Sequence, residues 1–200
     1  MIRQVLLALS CFGLVGCASI PLTTLPKVAG LRPDTAEFMQ FEMAVRMPEA
    51  FRLYEDSAWL TLEIVSEEAT GLAPEKLELM LVPVDGEPSG YLSRQERSGS
   101  RIVRMRVDPE AAEQAEAFRA EAIRRKRDYP KQNALNLGAR TGGCLSEGAN
   151  PFQSLKIKTY LRRSSAEDFF VLFKERSMSF GVDSGISHCE TGAEARALID

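Results

Sequence analysis

Few residues in this chain can do chemistry. There is one histidine, His188, and there are four cysteines, Cys11, Cys17, Cys144 and Cys189. His188 adjoins Cys189, and an imidazole can activate a thiol nucleophile. Neighbouring side chains in extended backbone point to opposite faces, so these two do not meet easily. A zinc site needs three or four Cys or His ligands. Asp183, Glu190 and Glu194 could add oxygens, but no spacing ties them together. No serine stands in a Gly-x-Ser-x-Gly elbow. Gly138 and Gly142-Gly143 lack the spacing of either phosphate-binding fingerprint and read as a turn. What is left for an enzyme is acid–base work by carboxylates such as Glu63, Glu67 and Glu68. The expectation is a protein with no catalytic set, no cofactor and no metal.

Cys17 stands in a different setting. Met1–Gln4 is a short head with one positive charge, Arg3, and Val5–Gly16 is apolar apart from Ser10. A membrane-spanning helix needs about 20 apolar residues, so this shorter run reads as the core of an export signal. It ends Leu14-Val15-Gly16-Cys17. That ending resembles the lipobox of bacterial lipoproteins, with a leucine three residues before the cysteine and a small residue just before it. The resemblance covers residues 1–18. It implies diacylglycerol on the Cys17 sulfur, cleavage before Cys17 and acylation of the new amine. Two or three acyl chains hold a protein stably on a bilayer, where one is marginal. Ala18 in second position, rather than aspartate, implies the outer membrane, with the domain facing the periplasm. With Cys11 removed and Cys17 lipidated, Cys144 and Cys189 remain. An even pair in an exported domain reads as a disulfide, with two free thiols as the alternative.

The organisation follows: residues 1–16 a cleaved signal, 17–33 a lipidated N-terminus and extended tether, 34–200 a single globular domain. Pro21, Pro26 and Pro33 support the tether, since proline removes a backbone donor and disfavours helix in the preceding residue. From Phe41 onward the apolar residues alternate. Met43, Val45 and Met47 continue from Phe41, and the pattern returns at Leu60–Ile64, Leu77–Leu81, Val103–Val107, Leu155–Leu161 and Phe169–Phe173. Period two means strands with one buried face. Ala134–Ala139 can add a seventh. Strands of this kind need a second layer over their apolar faces. The spacing predicts a mainly β fold, an antiparallel β-sandwich of about six to seven strands, with an antiparallel sheet covered by a helix as the rival. One amphipathic helix is predicted near 109–128. Asp108 can cap it, Pro109 suits its first turn, and its charges run from acidic to basic along the dipole. Its apolar stripe is Ala111, Ala115, Phe118 and Ala122, with Ile123 beside it.

The formal net charge is -3, and hydrophobic residues make up 44% of the chain. That composition can bury a real core. A mildly acidic domain lacks the broad basic footprint of a nucleic-acid binder. Two features can form a contact surface: the run Arg124, Arg125, Lys126 and Arg127, and Trp59, which is out of phase with Leu60, Leu62 and Ile64. The reading is a lipid-anchored envelope protein, non-catalytic, accessory to another envelope protein or to its assembly. The first alternative is a carrier for a lipid or other apolar ligand, which would need a pocket between sheet and helix. The second is an unrecognised hydrolase.

Overall fold

The period-two segments become strands because each can put every second side chain into one common core. In the computed structural model, which describes residues 21, 24–65, 75–130, 134–146, 148, 155–178, 187–189 and 198–199, eleven strands and two α-helices are formed. The strands are β1 (Glu42–Pro48), β2 (Phe51–Tyr54), β3 (Trp59–Val65), β4 (Glu75–Pro83), β5 (Ser100–Val107), β6 (Ala134–Arg140), β7 (Gly143–Leu145), β8 (Leu155–Arg162), β9 (Phe170–Met178), β10 (Ser187–His188) and β11 (Leu198–Ile199). The helices are α1 (Leu25–Ala29) and α2 (Ala112–Asp128).

Seven strands form one antiparallel sheet in the order β6-β3-β4-β5-β1-β8-β9. These are the seven read from alternation. The other four form a small sheet, β10-β7-β2-β11, in which β10 and β7 run parallel. The fold is mainly β, two-sheeted and carries the helix where it was expected.

The main sheet buries Met43, Val45 and Met47 from β1 and the corresponding leucines of β3 and β4 in one cluster. Phe51 and Leu53 of β2 and Leu145 of β7 join that cluster, so the small sheet shares the core. The main sheet curls: Gly138–Thr141 at one end of the strand order and Phe173, Lys174 and Arg176 at the other line the same cavity. A β-bulge where β8 meets β9, between Ile157 and Tyr160, adds to this bend. The opposite face carries a smaller cluster, Ala44, Leu92, Tyr160 and Phe169. Leu92 reaches it from the loop 84–99, which folds over that face.

Asp108 accepts a hydrogen bond from the Glu110 N–H at 3.0 Å, starting the 3-10 turn Pro109–Ala111 that leads into α2. Ala111, Ala115, Phe118 and Ala122 are buried and Ile123 is 51% exposed, so the helix packs on its narrow alanine stripe. Phe118 meets Phe38 edge to face, with ring centroids 5.6 Å apart.

Within the segment read as a tether, Leu25–Ala29 forms the short helix α1. Proline is tolerated in a first helical turn, and Pro26 sits there in α1. Thr24 and Leu31 are buried. The chain has therefore joined the fold ten residues before the expected boundary at residue 34.

Gly143 opens β7 where it pairs with β2. A Cβ there would lie 2.1 Å from the Arg52 carbonyl oxygen and 2.8 Å from the Phe51 ring. Gly143→Ala is therefore expected to lower unfolding stability by about 3 kcal/mol or more, the scale of overpacking against backbone. Chemical denaturation checks this, and a loss within error of zero would contradict the tight β2–β7 approach.

Candidate functional site

The basic run at the end of α2 is paired within the molecule, and one of its four residues is buried. Arg125 is buried, 5% exposed, and points inward. Its Nε donates to Glu121 Oε1 at 2.7 Å and its Nη2 to Glu75 Oε2 at 3.4 Å. Lys126 Nζ donates to Asp34 at 2.6 Å, tying α2 to the segment before β1. Arg124 is held by Glu121 and Asp128, and Arg127 by Asp128. Arg125 therefore leaves the expected contact surface, because the helix face that buries Phe118 and Ala122 carries it too. The other three are exposed or half-buried cations already paired with carboxylates. Trp59 is half-buried; its ring lies 5.6 Å from the Arg140 guanidinium and its Nε1 donates to the Asp56 carbonyl at 3.3 Å.

Two arginines on Glu121 hold its carboxyl well below the usual range, at about 2, through hydrogen bonds from Arg124 and then Arg125.

Cys144 and Cys189 form a disulfide with Cα atoms 4.8 Å apart. Cys144 lies inside β7 rather than in a loop, and Cys189 directly follows β10. The bond fastens β10 to β7 and removes the thiol that His188 would have activated. Asn136 donates to Glu63 at 3.2 Å on the sheet surface. Glu67 and Glu68 lie outside the described residues, as do Cys11 and Cys17. Among the described residues no group of three or more His, Cys, Asp and Glu is placed to hold a metal ion.

What sequence reading missed are three arrangements that only the sheet assembles. The first is on the outer face of the main sheet, where Glu42 accepts from Arg104 at 3.2 Å and from Arg162 at 2.6 Å. These arginines line a cavity of about 290 Å³ under the loop 84–99.

The second lies further along the same face. Arg46 of β1 is buried and donates to the Gln95 carbonyl at 2.8 Å and to Glu175 at 2.6 Å. Arg97 approaches the same carboxylate at 3.8 Å. Lys156, Lys158 and Lys174 complete two adjoining clefts of about 300 and 340 Å³. Lys158 has its pKa lowered, first by burial and then by the charges of Arg46 and Arg97, with Glu175 opposing. Pro21 lines the second cleft.

The third is the cavity between the ends of the curled sheet, about 460 Å³. Ala139, Ile157 and Phe173 give it apolar walls, and Arg140, Lys174 and Arg176 bring charge to it. Its size is in the range of ligand sites. It lies at β6, β8 and β9, not beneath the helix.

Comparison with known proteins identifies no relative: no family model, no curated protein and no solved structure matches the chain.

Two expectations follow. Glu121→Gln should lower stability at neutral pH by about 1 kcal/mol or more, since it weakens an exposed pair with Arg124 and takes a carboxylate from the buried Arg125. The carboxyl titrates lower in the folded protein than its ordinary 4.5, so its contribution is present above pH 4.5 and is lost as pH falls toward 2. The gap in melting temperature between variant and parent should therefore close over that window; a gap independent of pH would contradict the assignment. Separately, the disulfide closes a loop with a sequence separation of 45. Cys144→Ala with Cys189→Ala should cost about 4 kcal/mol by the chain-entropy relation, read from denaturation curves.

Proposed function

We propose that this chain is a bacterial lipoprotein of the cell envelope, anchored through Cys17 to the outer membrane with its domain facing the periplasm. Its role there is that of an accessory or assembly protein contacting another envelope protein. The observation that carries the anchored reading is the place where the chain reaches the fold. Pro21 is held in a turn, its carbonyl accepting from the Thr24 N–H at 2.9 Å and from Thr24 Oγ1 at 2.8 Å. Cys17 is four residues before it. The described fold therefore reaches to within four residues of the one that would carry lipid. The disulfide supports an oxidising compartment. For a partner, β6 and β9 end the order of the main sheet among the described residues, and a strand edge is where an extended segment of another protein adds.

Metabolic labelling with an alkyne-bearing fatty acid in a Gram-negative host tests the anchor. The parent should incorporate label and fractionate with membranes, and Cys17→Ser should incorporate none. Label retained in Cys17→Ser, or absent from the parent, would overturn the reading.

The 460 Å³ cavity favours a second reading, a carrier for an amphipathic anion. Apolar walls at Ile157 and Phe173 suit an acyl chain, and Arg140 and Arg176 suit an acidic head. Native mass spectrometry of residues 18–200 made in the periplasm separates the two: a retained lipid-sized adduct, lost in Phe173→Asp, supports the carrier.

A further inference from the structure

We propose that the cationic clefts on the outer face of β1, β8 and β9 are a docking surface for a bilayer bearing anionic headgroups, and that they lay the domain against the membrane beside its own anchor. The residues are Arg46, Arg97, Lys156, Lys158 and Lys174, around the single carboxylate Glu175. This region is net positive in a chain whose formal charge is -3, and it stays positive when the adjoining Glu49 and Glu96 are counted. The excess is not internal wiring. Glu175 can neutralise one cation, and it is shared between the buried Arg46 at 2.6 Å and Arg97 at 3.8 Å. Arg97, Lys156 and Lys174 are exposed. Lys158 has its pKa lowered first by burial and then by the charges of Arg46 and Arg97, with Glu175 opposing.

Chain geometry names the occupant. Pro21 lies in one of the two clefts. An extended chain spans at most about 3.5 Å per residue, so Cys17 stays within roughly 14 Å of that cleft. Electrostatic attraction in salt acts over about 8 to 10 Å. A lipid on Cys17 would therefore hold these cations close to the range at which headgroup charge is felt. Each Lys or Arg at such a surface strengthens binding about fivefold. This placement rests on the lipoprotein reading; the charge cluster itself does not.

The test uses the mature chain without lipid, residues 18–200, which contains every element described above. Its binding is measured by co-sedimentation with vesicles of equimolar phosphatidylglycerol and phosphatidylcholine, and with vesicles of phosphatidylcholine alone. Preference for the anionic vesicles is expected, weakening as salt is raised. The triple variant Arg97→Gln, Lys156→Gln, Lys174→Gln should keep the parent melting temperature and bind roughly 100-fold more weakly. A control triple, Lys76→Gln, Arg106→Gln, Arg127→Gln, removes the same charge elsewhere and should bind within a few-fold of the parent. No preference for anionic vesicles would overturn the docking surface, as would an equal loss in the control. Either result is independent of what Cys17 carries, so a failure here is distinct from a failure of the anchor.

Discussion

Met43, Val45 and Met47 go into the core from β1, while Glu42 and Arg46 stay on the other face of the same strand. This division organises the rest. β1 lies between β5 and β8. Its inner side chains join the two halves of the main sheet to α2 and to the small sheet. Its charged outer side chains pair across strands: Glu42 accepts from Arg104 and Arg162, and Arg46 donates to Glu175. Burying an arginine such as Arg46 is tolerable only with partners of this kind. The charged outer face is thus built on the strand that also anchors the core. A change that slipped β1 by one residue would exchange the two sets and lose both.

The main sheet was legible because its strands are long and bury one face each. Alternation at Leu60–Ile64, at Leu77–Leu81 and at Val103–Val107 is unambiguous, and α2 announces itself through Asp108, Pro109 and the gradient of charge. The small sheet was not legible. β2 has four residues, β7 three, and β10 and β11 two each. No period can be counted in so few positions; the disulfide ties the end of β10 to β7, and β7 approaches β2 closely at Gly143. Within 24–33, prolines that argue against helix in general are compatible with a first turn, and α1 uses one there.

The candidate site was only partly legible. The disulfide pair followed from counting cysteines. The basic run at 124–127 drew attention because its residues are adjacent in sequence, but on a helix they diverge around the axis and meet Glu121, Asp34, Glu75 and Asp128. The clefts that do concentrate charge are made from residues on β1, β8, β9 and the loop 84–99. No window of sequence holds them together. Pro21 lies beside those clefts, which relates the domain's charge to the proposed anchor. Under that proposal the domain is oriented on the bilayer rather than freely swinging.

That orientation can be measured directly. Spin labels at Ser98, in the cationic clefts, and at Glu113, on α2 across the core, would be read in the lipidated protein on anionic bilayers. The expected result is a Ser98 label shielded from an aqueous relaxation agent and close to the headgroups, with the Glu113 label fully exposed to water. Equal exposure of the two labels would contradict a domain held face-down by its outer sheet.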